Sequence, residues 1–138
     1  MSKFDLEKYL SDLEYLVNID SNARDKAGVE KIAAFFKKKF SKNGWFVKEH
    51  YVEASLGPCL EISNTTDEQY DMLLLGHMDT VFEAGTAGKR PFKILGGRAY
   101  GPGVTDMKSG DLIGAYVMLY KTASRQSCCK SRGFIVIW

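Results

Sequence analysis

An α/β architecture, a mixed sheet flanked by helices, is the fold class this sequence predicts. Three observations carry it. Two stretches with apolar residues every three or four positions open the chain, several short apolar runs come next, and a third helical pattern resumes after a glycine-rich turn. The 138 residues, 45% hydrophobic and 26% charged, suit one globular domain with a single core.

Residues 4 to 17 place Phe4, Leu6, Leu10, Leu13, Leu16 and Val17 at helical spacings, with acidic residues in the first turn. A second helix is expected from about Asp25 to Lys42, burying Val29, Ile32, Ala33, Phe36 and Phe40 and stopping at Asn43-Gly44. Its Lys37-Lys38-Lys39 run reads as a solvated helix end. Strands are expected over Trp45 to Val52, Pro58 to Ile62 and Met72 to Leu75, with a hairpin of Phe92 to Leu95 and Arg98 to Tyr100 around Gly96-Gly97. Asp111 to Tyr120 then resumes a helical pattern through Leu112, Ile113, Ala115, Tyr116 and Leu119.

Charge names no partner. Nineteen basic against seventeen acidic residues give a net charge of +2, too near balance to argue for nucleic acid or a membrane surface, and neither is expected as a partner. The first residues lack the apolar region of a secretory signal, and no run approaches the roughly 18 apolar residues of a membrane span. A cytoplasmic location is therefore the expectation. Cys59 and the adjacent pair Cys128 and Cys129 form neither a disulfide framework nor a zinc spacing, which suits a reducing compartment. Asn64-Thr65-Thr66 matches a glycosylation acceptor but, without a signal, reads as a polar turn.

Chemistry concentrates in two places. The apolar run Leu73-Leu74-Leu75-Gly76 stops at His77-Met78-Asp79, so a buried strand delivers two polar side chains to its mouth. Imidazole nitrogen and carboxylate oxygen are ligands that a zinc-type ion accepts while keeping a position open, which makes His77 the first candidate ligand. Asp79, two residues on along extended backbone, shares its face and can take the other imidazole N–H, fixing the tautomer. Asp106 lies in the glycine-rich turn Gly101-Pro102-Gly103-Val104-Thr105-Asp106 and enters from a different element, as a carboxylate bridging two metals must. Taken singly, a histidine at a strand end is ordinarily a satisfied structural residue, and an aspartate before a helix is ordinarily its N-cap. It is their joint occurrence that points to a site.

Taken together, Gly76-His77-Met78-Asp79-Thr80-Val81 and Gly103-Val104-Thr105-Asp106-Met107-Lys108-Ser109-Gly110 resemble two signatures of the di-zinc metallopeptidase family of glutamate carboxypeptidases, acetylornithine deacetylases and succinyl-diaminopimelate desuccinylases. Phe82-Glu83-Ala84-Gly85-Thr86, Lys89-Arg90-Pro91-Phe92 and Gly97-Arg98-Ala99-Tyr100 are most similar to the glutamate carboxypeptidase branch. The resemblance covers residues 4 to about 120. It implies the N-terminal part of a zinc-peptidase-like catalytic domain, with His77 binding one zinc, Asp106 bridging both metals and Asp79 as the catalytic supporter of His77. It also implies a cis peptide bond after Asp106 and a helix-start anchor at Lys108. Ser109 stands where the family usually has a second small residue. Zinc is the implied cofactor, two per site in complete relatives, and cobalt or manganese suits the same ligands. The implied substrate is a peptide or N-acyl amino acid, cleaved beside a free carboxylate by a metal-activated water.

The family's general-base glutamate, the adjacent glutamate ligand, a further carboxylate and a distal histidine lie beyond the second signature, and no Glu-Glu pair occurs in this chain. His50, among Lys48, Glu49 and Tyr51, reads as a surface residue. Residues 1–121 are accordingly expected to form part of a metallopeptidase catalytic domain, inactive alone. Residues 122–138 read as an atypical tail, the mark of a truncation or frameshift, whose apolar end Phe134 to Trp138 is expected to be poorly buried together with Leu73 to Leu75. Such exposure would favour self-association. It leaves two rivals: a non-catalytic binding or assembly protein pairing through an exposed sheet edge, and one half of a split enzyme.

Overall fold

The structure is a computed structural model and describes residues 4–123 and 132–138. In chain order the elements are α1 (Leu6–Val17), α2 (Lys26–Ser41), β1 (Phe46–His50), β2 (Cys59–Ser63), β3 (Met72–Gly76), the short α3 (Thr86–Lys89), β4 (Lys93–Leu95), β5 (Arg98–Tyr100), α4 (Ser109–Ala123) and β6 (Gly133–Ile137). Each long N-terminal helix starts where a carboxylate can accept an orphan backbone N–H. Asp5 Oδ1 accepts from Lys8 N–H at 2.9 Å, and Asp25 Oδ1 from Gly28 N–H at 3.1 Å.

The core of α2 is the predicted one: Val29, Ile32, Ala33, Phe36 and Phe40 are all buried. In α1 the buried residues are Tyr9, Leu13, Leu16 and Val17, whereas Phe4 and Leu6 remain 56% exposed. Those two fall on the solvent side of the entering turn, and Tyr9 fills the position against α4, its ring 5.5 Å from that of Tyr116.

The main sheet is mixed, in the order β1-β2-β6-β3. β1 and β2 pair antiparallel, β2 and β6 antiparallel, and β3 and β6 parallel, with Gly76 opposite Ile137 and Leu74 opposite Ile135. Strand alternation sends Leu60, Ile62, Ile135 and Ile137 into the helix-covered core, all of them buried. The opposite face is bare at β3, where Leu73 and Leu75 are each 56% exposed. β4 and β5 form the separate hairpin that the sequence predicts.

The C-terminal run is therefore corrected. The expectation left Phe134 to Trp138 poorly buried, which holds for Trp138 at 51% exposure, but β6 lies inside the sheet, hydrogen-bonded on both sides, with Ile135 at 4% and Ile137 at 1% exposure. Its lack of any polar alternation is what a strand buried between two neighbours requires. The expectation for Leu73 and Leu75 stands. Residues 124–131, including Cys128 and Cys129, lie outside the described residues. Cys59 is a free thiol. Among the described residues no helix is long and apolar enough to cross a membrane.

One polar cluster ties the three long helices together. Lys39 Nζ on α2 donates to Asp12 Oδ2 at 2.6 Å, and Tyr116 on α4 donates its hydroxyl to the same oxygen at 2.8 Å. Lys39 Nζ also sits 4.3 Å from the Tyr116 ring centroid. Lys39 is thus largely withdrawn from water rather than part of a solvated helix end, its side chain only 15% exposed. His50 is exposed and pairs with Glu61 at 2.9 Å, as a surface residue of β1.

Burial raises the Asp12 carboxyl, but the bonds from Lys39 and Tyr116 outweigh it and hold the group below the usual carboxylate range. The folded value thus lies below the unfolded one. The stabilisation is complete above the unfolded value near pH ~4 and is lost as pH falls through the folded value. Asp12→Asn should cost about 2 kcal/mol near neutral pH and flatten the acid limb of the stability curve. Denaturation at a series of pH values reads both, and parallel curves for the two proteins would exclude the coupling.

Candidate metal centre

The ladder between β3 and β6 runs past the end of β3. Trp138 N–H donates to the Gly76 carbonyl at 3.2 Å, and Met78 N–H donates to the Trp138 carbonyl. Met78 is consequently driven into the core, fully buried, and alternation turns His77 and Asp79 to the other side. The chain leaving α1 fastens this segment: Thr80 N–H donates to the Ser21 carbonyl at 2.7 Å, and Ser21 Oγ to the Met78 carbonyl at 3.0 Å. Asp20 accepts from Gly85 and Ala87 N–H at 2.8 and 2.9 Å, fixing the turn into α3.

Asp106 arrives by the turn Val104–Lys108, which leads directly into α4. Gly103 there has φ +73°, and a Cβ on it would meet Thr80 Cγ2 at 2.7 Å, so both conformation and space require glycine. Lys108 N–H donates to the Gly103 carbonyl at 2.9 Å, and Lys108 Nζ reaches across to the Ile19 carbonyl at 2.6 Å. Lys108 therefore anchors the helix start as the resemblance implies. Burial pulls its ammonium down to about 8, against the opposing charge of Asp20. The Asp106–Met107 peptide bond is cis.

These two deliveries converge. His77 Nε2 lies 3.1 Å from Asp106 Oδ1, and His77 Nδ1 lies 3.1 Å from both Asp79 Oδ1 and the Asp79 carbonyl. Only an imidazolium can donate to acceptors at both nitrogens. Burial lowers the His77 value, but the bonds and charges of Asp106 and Asp79 outweigh it, leaving the group above its ordinary range.

Beneath His77 lies a residue that the sequence did not single out. Asp111, in the first turn of α4, is 6% exposed and accepts from the His77 backbone N–H. Its Oδ1 occupies the space that a Cβ on Gly76 would fill, and its Oδ2 has no partner among the described residues. Burial pushes its carboxyl up to about 7. An acidic residue in a helix's first turn ordinarily answers the helix dipole, so the burial of Asp111 leaves no mark in the sequence.

His77, Asp79, Thr80, Val81, Phe82, Gly101, Gly103, Val104, Thr105 and Asp106 line a cleft of about 280 Å³. It opens at the carboxyl end of the parallel pair, where open α/β sheets bind ligands. The donor set fits a divalent cation in part. A cation replacing the Nε2 proton would have an imidazole nitrogen and a carboxylate oxygen on one side, with Asp79 behind to hold the tautomer. Two ligands of tetrahedral zinc, each about 2.0–2.1 Å from the metal, stand roughly 3.3 Å apart, close to the Nε2 to Oδ1 distance here. A third is lacking: among the described residues no three His, Cys, Asp or Glu side chains converge on one point.

Residues 73–127, which contain all of these groups, match the model of Peptidase family M20/M25/M40. Over these residues the chain is similar to the M20 peptidase family. It is 30% identical over 105 residues to carboxypeptidase G2 of Pseudomonas sp. (strain RS-16), an alignment covering 75% of this chain and 25% of that protein. A tripeptidase from Staphylococcus aureus superposes with a TM-score of 0.72 at 26% identity, covering 99% of this chain and 37% of the tripeptidase. Human carnosine dipeptidase 1 shares the fold, with a TM-score of 0.70 at 14% identity over 95% of this chain and 31% of its own. The chain thus spans between a quarter and two fifths of the length of these relatives.

Proposed function

We propose that this chain is the metal-anchoring N-terminal part of an M20-type, zinc-dependent amide hydrolase acting on peptides or N-acyl amino acids in the cytoplasm. The observation that carries the proposal is the convergence of His77 Nε2 and Asp106 Oδ1 within 3.1 Å inside the cleft, with Asp79 against the other ring nitrogen. The names of the relatives, a carboxypeptidase, a tripeptidase and a dipeptidase, support the substrate class.

His77 and Asp106 would hold the cation, which when bound supplies Lewis-acid polarisation of the amide carbonyl and acidifies water. Asp79 keeps the proton on His77 Nδ1 and so turns Nε2 toward Asp106. Asp106, its side chain 88% exposed, brings negative charge to the open side of the cleft, where it can face more than one cation. Asp111 holds the His77 backbone from below. Lys108, committed to Ile19, fixes the turn rather than the substrate. No glutamate lines the cleft, and Asp111 is the last acidic residue in the sequence, so the proton acceptor that amide hydrolysis needs is not supplied.

The purified chain should bind zinc weakly in calorimetric titration. His77→Ala should abolish binding, and Asp79→Ala should weaken it about 10- to 100-fold. N-acyl amino acids and glutamyl peptides should remain intact with zinc or cobalt present. Metal-dependent cleavage that disappears in Asp106→Ala would overturn the claim of inactivity, and zinc binding unchanged in His77→Ala would overturn the site.

A second reading, assembly with another polypeptide as a binding protein or as one half of a split enzyme, is favoured by one observation. Leu73 and Leu75 stand exposed on the bare sheet face at the open β3 edge. Sedimentation velocity should show concentration-dependent self-association that falls away in Leu73→Glu. A monomer at every concentration would remove this reading.

A further inference from the structure

The segment between α1 and α2 reaches both halves of the metal centre. Ile19 accepts at 2.6 Å from Nζ of Lys108, two residues beyond Asp106, and Ser21 engages Met78 and Thr80, the two neighbours of Asp79. Asn22 extends the contact, with a parallel bridge to Thr80 and with Nδ2 on the Phe82 carbonyl. Helix α2 makes room for this segment. A Cβ on Gly28 would collide with the Asp20 carbonyl, so the first turn of the helix must be bare there.

Ser21 holds a particular place within the segment. It is fully buried, its Oγ donates to the Met78 carbonyl at 3.0 Å, and its own carbonyl accepts from Thr80 N–H at 2.7 Å. The Met78 carbonyl lies in the peptide plane that precedes the Asp79 Cα, and Thr80 N–H lies in the plane that follows it. Peptide planes are rigid, and the two dihedrals at the Cα are the only soft joints between them. Fixing both planes therefore fixes φ and ψ of Asp79, and with them the direction of its Cβ. That direction is the one that brings Asp79 Oδ1 to 3.1 Å from His77 Nδ1. On the other side Met78 N–H is held by the Trp138 carbonyl, so this strand end is braced from both edges.

We propose that Ser21 is a positioning residue of the metal centre, which aims Asp79 at His77 by gripping the two peptide groups that flank Asp79. What Asp79 does for a cation rests on the amide-hydrolase reading, whereas the grip on Asp79 does not. Ser21 acts only through Asp79, and through Asp79 on the ring orientation that turns Nε2 toward Asp106. Its hydroxyl is the group that matters. Alanine keeps the carbonyl contact to Thr80 but releases the Met78 carbonyl.

The test compares the full chain with Ser21→Ala, Ser21→Cys and Asp12→Asn. Asp12 bonds Lys39 and Tyr116 outside the cleft, so its variant controls for lost stability alone. In metal-free samples, NMR of the His77 ring follows the exchange of the Nδ1 proton with water. That proton should exchange about ten-fold faster in Ser21→Ala and at the parent's rate in Asp12→Asn. Ser21→Cys, which keeps the size and a weak donor, should fall between. Zinc affinity should drop about three- to ten-fold in Ser21→Ala, less than in Asp79→Ala. Exchange in Ser21→Ala equal to the parent's would overturn the proposal, and so would the same acceleration in Asp12→Asn. If Ser21→Ala does not fold, Ser21→Cys decides by the same comparison. A parent that ignores zinc would defeat the amide-hydrolase reading, and the metal-free exchange would still decide on Ser21.

Discussion

The parallel pairing of β3 with β6 is the constraint on which the rest of the molecule depends. It places a wholly apolar strand between β2 and β3, gives the helices one continuous floor, and extends the ladder far enough to fix Gly76 and Met78. Once Met78 is committed to the core, the two-residue period of extended chain leaves His77 and Asp79 nowhere to point but the cleft. Connecting parallel strands demands a crossover, and α4 supplies it. The turn that starts this crossover is also the one that carries Asp106, so the strand ladder and the helix start meet at the same end of the sheet.

Electrostatics then explains the arrangement of the site. The imidazole stands between two carboxylates, whose bonds and charges favour its charged form, with a proton where a cation would bind. A metal would compete with that proton for Nε2 while Nδ1 stayed engaged. Asp111 adds a second kind of pressure. Buried under the His77 backbone with one oxygen unpartnered, its carboxyl is pushed up to about 7, a perturbation of the kind that clusters at functional sites. The helices show a similar concentration of contacts at Asp12, where a single carboxylate engages Lys39 and Tyr116 from two neighbouring helices.

Much of this was legible in the residues. The α2 core could be read because Val29, Ile32, Ala33, Phe36 and Phe40 keep helical spacing over about three turns, and the His77–Asp79 pair because extended chain alternates. Non-local features escaped the sequence. A six-residue apolar run such as Gly133 to Trp138 has no period to show which strands flank it, and its lack of polar positions looks the same for a central strand as for an aggregation-prone end. The Lys37-Lys38-Lys39 run could not reveal that Lys39 turns inward, since that depends on where Asp12 and Tyr116 lie. Asp111 was hidden for the same reason: its burial is set by Gly76, thirty-five positions earlier. The roles of His77, Asp79 and Asp106 rested on family resemblance, and the geometry brings those three side chains together without supplying the remaining ligands.

The central claim is that Asp79 sets the tautomer of His77 so that Nε2, and not Nδ1, faces the cation. Long-range ¹⁵N–¹H correlation of the His77 ring, recorded before and after zinc is added, tests this directly. The predicted result is that Nε2 moves to the position of a metal-bound nitrogen while Nδ1 remains protonated against Asp79. Metal ligation through Nδ1, or a ring that does not respond to zinc, would contradict the account.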